Sequence, residues 1–322
     1  QVFIDSGFVN SRGLLFPVCH RIQLFLLKKS IRFKIFQYDY FEKNQLSRKT
    51  FLAQHFISQA RYYELRNEIN ALVADEAQLK RVAQLHVHPE TVIRANLANI
   101  YYHFFSGIEE PFPEISELTS RWLTQLVMTI GLSLSPHERG KLKIYCQVQF
   151  KRIASGCALN LRQLFKLQTN DTTALLVQFF HQHVKGIVHT DAASETVCLY
   201  LFMLSQSMLS QAPITLEPQL ERLLAANEHQ VKAYLNDVAL IDQQLLPVHQ
   251  LGRIASQISA LNSWLMIFDM TMISTNLKEE IAGLSTSFPG LAKLAKDIAI
   301  ISIRTMRLES TTKLQEKLTY NY

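Results

Sequence analysis

The chain has 322 residues, of which 48% are hydrophobic and 19% charged, which excludes a disordered protein and leaves room for two or three domains. Gly (10) and Pro (9) are scarce and long stretches lack the Val/Ile/Thr alternation of strands, so the composition predicts a mostly helical protein. The net charge of +6 is unevenly placed: residues 1–94 hold 14 Lys/Arg against 8 Asp/Glu, whereas residues 95–322 hold 19 of each. A basic segment joined to a neutral helical body is the distribution expected of a nucleic-acid-binding module attached to a regulatory one. Cys19, Cys146, Cys157 and Cys198 form no C-x-x-C pair, which argues against zinc fingers and fits a reducing, cytoplasmic compartment. The longest apolar runs are interrupted, one by Glu195 and another by Asp269, so no membrane span is expected. No signal peptide is visible, and because the chain opens on Gln1 rather than Met, further native sequence upstream is expected.

In chain order, "FPVCHRIQLFLLKKSIRFKIFQYDY" predicts one long amphipathic helix from Phe16 to Tyr40, with Ile22, Phe25 and Leu26 on the apolar face that packs under the DNA-binding unit. Ser47 offers a cap for the helix "RKTFLAQH", and Ser58 a second cap after the interruption at Phe56 and Ile57. Next, "LKRVAQLHVHPE" reads as two brief strands or a turn, with Leu79, Val82, Leu85 and Val87 as its apolar positions. Pro89 suits the first turn of a helix that Ser106-Gly107 closes. Beyond "EEPFPEI" the pattern is helical, with breaks at "LSLSPHERG", "QTNDTT", "HTDAAS", "QAPITLEP" and "TSFPG". This divides the chain into 1–46 (a linker and long helix), 47–108 (a DNA-binding unit with its following helix), and two helical bodies, 109–212 and 213–322. The similar lengths of the two bodies permit a duplication, although no repeat is visible.

A helix-turn-helix needs a bracing helix, a tight turn with a buried residue, and a second helix whose outer face enters the major groove. Here Leu52 and Ala53 would face the core, Phe56 and Ile57 would fill the turn, and Ser58 would cap the reading helix. In that helix Tyr62, Leu65, Ile69 and Leu72 form a buried stripe at three- and four-residue spacing. The stripe leaves Gln59, Arg61, Tyr63 and Asn67 to approach bases, since Gln, Arg and Asn make bidentate contacts to base edges. Arg48, Lys49 and Arg66, with Lys80 and Arg81 from a wing-like hairpin, would approach phosphates. The competing reading is a helical hairpin in a sensor or scaffold that binds protein without DNA.

The succession "RKTFLAQHFISQARYYELRNEINALV", wing-like segment, "HPETVIRANLANIYYHFF", "GIEEPFP" resembles the Mga/AtxA-type transcriptional regulators of Gram-positive bacteria, which include virulence regulators. Glu90, Ile93 and Arg94 look like the acidic-residue and Ile/Val-Arg signature that opens the family's helix after the wing. The resemblance implies a winged helix-turn-helix followed by two all-helical domains like those regulated by the phosphotransferase system, in a dimeric protein bound to double-stranded DNA. It makes residues 51–73 the second of two helix-turn-helix units, with the first upstream of Gln1, and no EIIB-like pattern follows in this sequence. It also implies control by phosphocarrier proteins through histidine phosphorylation, with His137, His181 and His183 as candidate acceptors. Two departures stand out: His88-Pro89-Glu90 where relatives often carry Gly before the acidic residue, and Cys157 after Gly156 where a His would be sought.

Other chemistry has less support. His181 and His183 are two apart, which on a helix separates their directions by about 200°, so with His189 they make a poor metal set. His86, His88 and Glu90 could share a strand face, but the wing reading uses them otherwise, so neither group is taken as a metal site. G-x-S-x-G, G-x-G-x-x-G, P-loop and H-E-x-x-H patterns are absent, so no enzyme and no cofactor is expected.

Overall fold

The computed structural model describes residues 4–5, 8–9, 15–73, 88–157, 159, 165–168, 170–183, 191–206, 208–209, 214–216, 218–241, 249, 251–255, 258 and 289–305. They are mostly helical. Two short antiparallel pairs accompany the helices: β1 (Ile4–Asp5) with β2 (Phe8–Val9), and β3 (Phe165–Leu167) with β4 (Ile214–Leu216) in the register Phe165 to Leu216. Residues 74–87, which hold most of the wing-like segment together with Lys80 and Arg81, lie outside the described residues, whereas His88, Pro89 and Glu90 at its end belong to the start of the next helix.

The expected single helix from Phe16 to Tyr40 is two helices and a π-helical turn. The first, α1 (Leu15–Lys29), ends where Ser30 takes an extended backbone (φ −71°, ψ 141°), and the Ser30 hydroxyl then accepts from the Phe33 N–H to open α2 (Ile31–Gln37). A serine that can cap the backbone competes with the helix it interrupts, which is the physical reason for the break. The buried side of α1 is also not the expected one. It packs on α2 and on the helix that starts at Pro89 with Leu24 buried, whereas Val18, Ile22, Phe25 and Leu26 are all exposed. Tyr38–Glu42 then form the π-helical turn, in which the Lys43 N–H donates to the Tyr38 carbonyl at 2.9 Å.

Two further helices, α3 (Arg48–Gln54) and α4 (Gln59–Val73), complete a three-helix unit with α2 and its π extension. Its core is aromatic: Tyr38 stacks on Phe51 at 4.2 Å, and Tyr62 meets both rings edge-on at 6.3 Å. Phe51 is the buried residue of α3, while Leu52 is half-buried and Ala53 exposed, correcting the expected inward pair. The stripe of α4 runs through Tyr62, Leu65 and Ile69 but finishes on Val73; Leu72 is exposed, turned about 100° away from Val73, which takes the inward place. In the turn, Ile57 is half-buried as expected, but Phe56 is 97% exposed with φ +52° and fills nothing.

The next helix, α5 (Pro89–Phe105), is capped by His88, carries Pro89 in its first turn and stops at Ser106 before Gly107 at φ +73°. It is buried along most of its length and packs chiefly on α7 (Pro136–Ala154), with α6 (Pro113–Ile130) flanking α7. Ser135 starts α7 through a reciprocal capping box with Glu138. Trp122 of α6 meets Phe180 of α8 (Asp171–His183) at 5.7 Å, and Tyr145 of α7 stacks on Phe202 of α9 (Ala192–Ser205) at 3.8 Å. One buried apolar cluster thus runs from Leu24 to Met208. A second joins Val231, Leu235 and Ala239 of α10 (Pro218–Ile241) to Leu294 and Ile298 of α11 (Pro289–Thr305) and to Leu251, Ala255 and Ile258.

Candidate nucleic-acid interface

Ser58 is a helix cap: its hydroxyl accepts from the Arg61 N–H at 3.2 Å and its carbonyl from the Tyr62 N–H at 3.0 Å. The helix it opens is braced from both sides. Asp39, in the π-helical turn, accepts a buried hydrogen bond from the Tyr62 hydroxyl, which burial and that bond keep protonated well above the ordinary tyrosine range. At the other end, the Asn96 amide of α5 donates to the Val73 carbonyl at 2.6 Å and so completes the last turn of α4.

The expected contact residues divide into three groups. Ser58, Gln59, Arg61 and Asn67 are exposed. Arg61 is paired with Glu64 at 2.6 Å, and that hydrogen-bonded carboxylate raises its pKa. The second group sits at the start of α3, where Ser47 caps the helix and leaves Arg48 and Lys49 exposed. Arg48 reaches across to α4, donating to the Tyr63 hydroxyl with its guanidinium 5.4 Å over that ring, so Tyr63 is half-buried and already engaged. Third, Arg66 turns to the side: its Nε lies 3.2 Å from the Asp39 carboxylate, and 40% of its side chain remains exposed.

A helix advances about 100° per residue, so Arg61 and Tyr63 cannot address the same base pair face-on, and Asn67 with Ala60 is the pair that points directly away from the buried stripe. The outer surface also carries acid. Glu64 pairs with Arg61, and Glu68 takes Arg32 of α2 at 2.9 Å, so the two carboxylates are neutralised by neighbouring arginines. Sequence reasoning named the cations of this face and passed over both glutamates, although the i,i+3 spacing of Arg61 and Glu64 was there to read.

Beneath the three-helix unit, a buried ionic network joins α5, α7, α9 and the π-helical turn. Arg94 grips Glu195 with two nitrogens and Glu90 with a third, and its remaining contact is the Cys157 carbonyl at 2.6 Å. Arg152 grips Glu90 with Nε at 2.7 Å and Nη2 at 2.6 Å, and also donates to the Tyr40 carbonyl. The Gln149 amide and the Leu159 N–H complete the shell of Glu195. Burial opposes the charge on Arg94, but the Glu195 and Glu90 carboxylates outweigh it and hold the guanidinium charged. Glu90 and Arg94, singled out by resemblance, are therefore structural members of a core network, and the Cys157 departure contributes a backbone acceptor to it. Their sequence signal was a charge four residues from its opposite in an otherwise apolar helix, and, for Glu195, a lone acid in "ASETVCLYLFML".

Of the candidate phosphoacceptors, His137 is exposed in the first turn of α7, with Nδ1 2.7 Å from the Tyr102 hydroxyl. His181 is exposed on α8, and His183 is the last residue of that helix. The three are not brought together with the α4 face. Among the described residues no group of three His, Cys, Asp or Glu could hold a metal ion, and no helix is long and apolar enough to cross a membrane. Comparison with family models and with curated proteins returns no match for the chain.

Proposed function

We propose that the chain is a DNA-binding transcription regulator of the Mga type, with α4 as the reading helix. The carrying observation is the support of α4: a Ser58-capped helix whose buried apolar stripe packs against α2, presenting Gln59, Arg61 and Asn67 outward beside Arg48 and Lys49 of α3. Asn67 supplies the bidentate donor-acceptor pair that suits adenine, and Arg61 the fork that suits guanine. Arg48 and Lys49, at an exposed helix N-terminus, are placed for phosphates, with the wing cations Lys80 and Arg81 as further contacts. The charge excess in residues 1–94 and the succession of motifs from 48 to 113 support the same reading. The helical bodies, 109–212 and 213–322, would serve as regulatory domains in a cytoplasmic homodimer. Phosphocarrier proteins would act on them at His137, His181 or His183. No catalytic role is proposed.

The test is fluorescence anisotropy of the chain with random duplex DNA across a salt series. Binding whose logarithm falls linearly with log salt, and which flattens when Arg48 or Lys49 is replaced by Ala, supports the reading. Absence of binding at low salt, with the chain folded by circular dichroism, removes it. Incubation with phosphorylated phosphocarrier protein followed by mass spectrometry tests the histidines, and leaving all three unmodified removes that part alone.

A further inference from the structure

On the flank of α4 that carries Arg66, the π-helical turn, α4, α5 and α7 enclose a half-open cleft of about 250 Å³. Its walls bring together Lys43, Arg66 and Arg152 with Asn70 and Tyr40, against the single carboxylate of Asp39. The polar groups are pre-set by contacts at their far ends. Tyr40 donates to Asn70 Oδ1 at 3.1 Å, which fixes that amide and leaves its NH₂ as a donor. Asp39 holds only the Nε edge of Arg66; at 3.2 Å the angle leaves Asp39 Oδ2 and Arg66 Nε without a formed hydrogen bond, both sealed from solvent. Arg152 directs its hydrogen bonds to Glu90 and Tyr40, so its charge is balanced by Glu90 and it closes the wall without holding the anion. Lys43 has no ion pair among the described residues.

We propose that this cleft binds a small anion of the phosphate or carboxylate class, held by the Lys43 ammonium, the Asn70 amide and the Nη groups of Arg66. The volume lies below the roughly 300–1,000 Å³ of pockets for larger organic ligands, which suits inorganic phosphate, a small phosphate ester or a short carboxylic acid. Lys acts as a point charge and Arg as a planar donor fork, the combination that recognises such oxyanions. Arg66 and Asn70 are one turn apart on α4. If α4 reads DNA, as proposed above, the anion and DNA alter each other's affinity by one common factor; that extension rests on the DNA reading, whereas the site does not.

The experiment is calorimetric titration, without DNA, of the chain with inorganic phosphate, glycerol phosphate and succinate, each against sodium chloride of matched ionic strength, with thermal shift in parallel. The variants are Lys43→Gln, Asn70→Ala and, as an exposed cation outside both the cleft and the proposed DNA interface, Lys29→Gln. The expected result is saturable binding of at least one probe that raises the melting temperature, weakened about tenfold or more by Lys43→Gln and by Asn70→Ala to a smaller degree, and unchanged by Lys29→Gln. Which probe binds distinguishes free phosphate, ester and carboxylate as the source. No saturable binding of any probe beyond the chloride control, or equal weakening by Lys43→Gln and Lys29→Gln, overturns the proposal. Because DNA is absent from this titration, the cleft and the DNA interface can each fail alone.

Discussion

Arg94 and Glu195 lie 101 residues apart in the chain and meet as a two-pronged ion pair with neither side chain exposed to solvent. Such a pair contributes little net stability over an apolar replacement, but removing one partner strands the other charge. Arg94→Met is therefore expected to lower unfolding stability by about 3–5 kcal/mol, and Arg94→Met/Glu195→Met to recover part of the loss. Urea unfolding followed by circular dichroism measures both; a single variant within ~1 kcal/mol of the parent would contradict the buried pairing.

Phe56 combines a left-handed backbone with a side chain that is 97% exposed. That backbone costs an L residue roughly 1–2 kcal/mol, and Gly avoids it while losing about 0.5–1 kcal/mol of unfolded-state entropy. Phe56→Gly should then leave stability unchanged or raise it by up to ~1.5 kcal/mol, despite deleting the largest side chain in the turn. A loss of more than ~2 kcal/mol would mean that Phe56 is packed.

His88 caps α5 by accepting the Glu90 N–H on Nδ1 at 3.2 Å, which only a neutral ring can do. Loss of hydration on burial holds its pKa below the ordinary histidine value. With the folded value depressed, the cap's stabilisation is complete above the unfolded pKa of about 6.5 and is lost as pH falls through the folded value. Melting temperature measured from pH 8 to pH 5 should fall more steeply for the parent than for His88→Asn, which caps without titrating in that range. Parallel curves would exclude the role.

On DNA, Lys49→Ala should flatten the salt slope by about one unit for every sequence, while Asn67→Ala should cost ~1–3 kcal/mol on the preferred sequence and relax discrimination at one position. Arg66→Ala is a different experiment. It leaves Asp39, 9% exposed, without its cation, so a loss of thermal stability is expected that Arg61→Ala does not share. Equal melting temperatures for the two would show that the Asp39 contact is incidental.

Much of the three-helix unit was legible because its signals are local. Ser47 and Ser58 precede their helices, Tyr62, Leu65 and Ile69 keep helical spacing, and Pro89 and Gly107 bracket α5. The break at Ser30 was not, since hydrophobic spacing continues across it and a single serine is tolerated in many helices. Nor was the inward side of α1 legible: Leu24 and Phe25 are adjacent, and which one is buried depends on α2 and α5, the latter far along the chain. Which residues pair in the ionic network and which line the cleft was hidden for the same reason. Arg94 reads as part of a family signature and Glu195 as the charge that interrupts an apolar run until the fold brings α5, α7 and α9 together, and Arg66 reads as a phosphate contact until Asp39 claims one edge of it.

The π-helical turn at Tyr38–Glu42 sets an angular offset within one continuous stretch of backbone. Before it, Phe33 and Phe36 answer to Tyr101; within it, Phe41 still reaches Tyr101 while Asp39 reaches Tyr62 and Arg66. The turn does this by holding one residue more than an α-helix would. Deleting a single residue here would let the backbone close into regular helix with every local hydrogen bond made, yet rotate the downstream chain by about 100°. Lys43, Arg48 and Lys49 would then be delivered to the wrong side of α4. Length is thus more constrained in this stretch than in residues 43–47, and an indel would misdirect the unit without unfolding the helix that carries it.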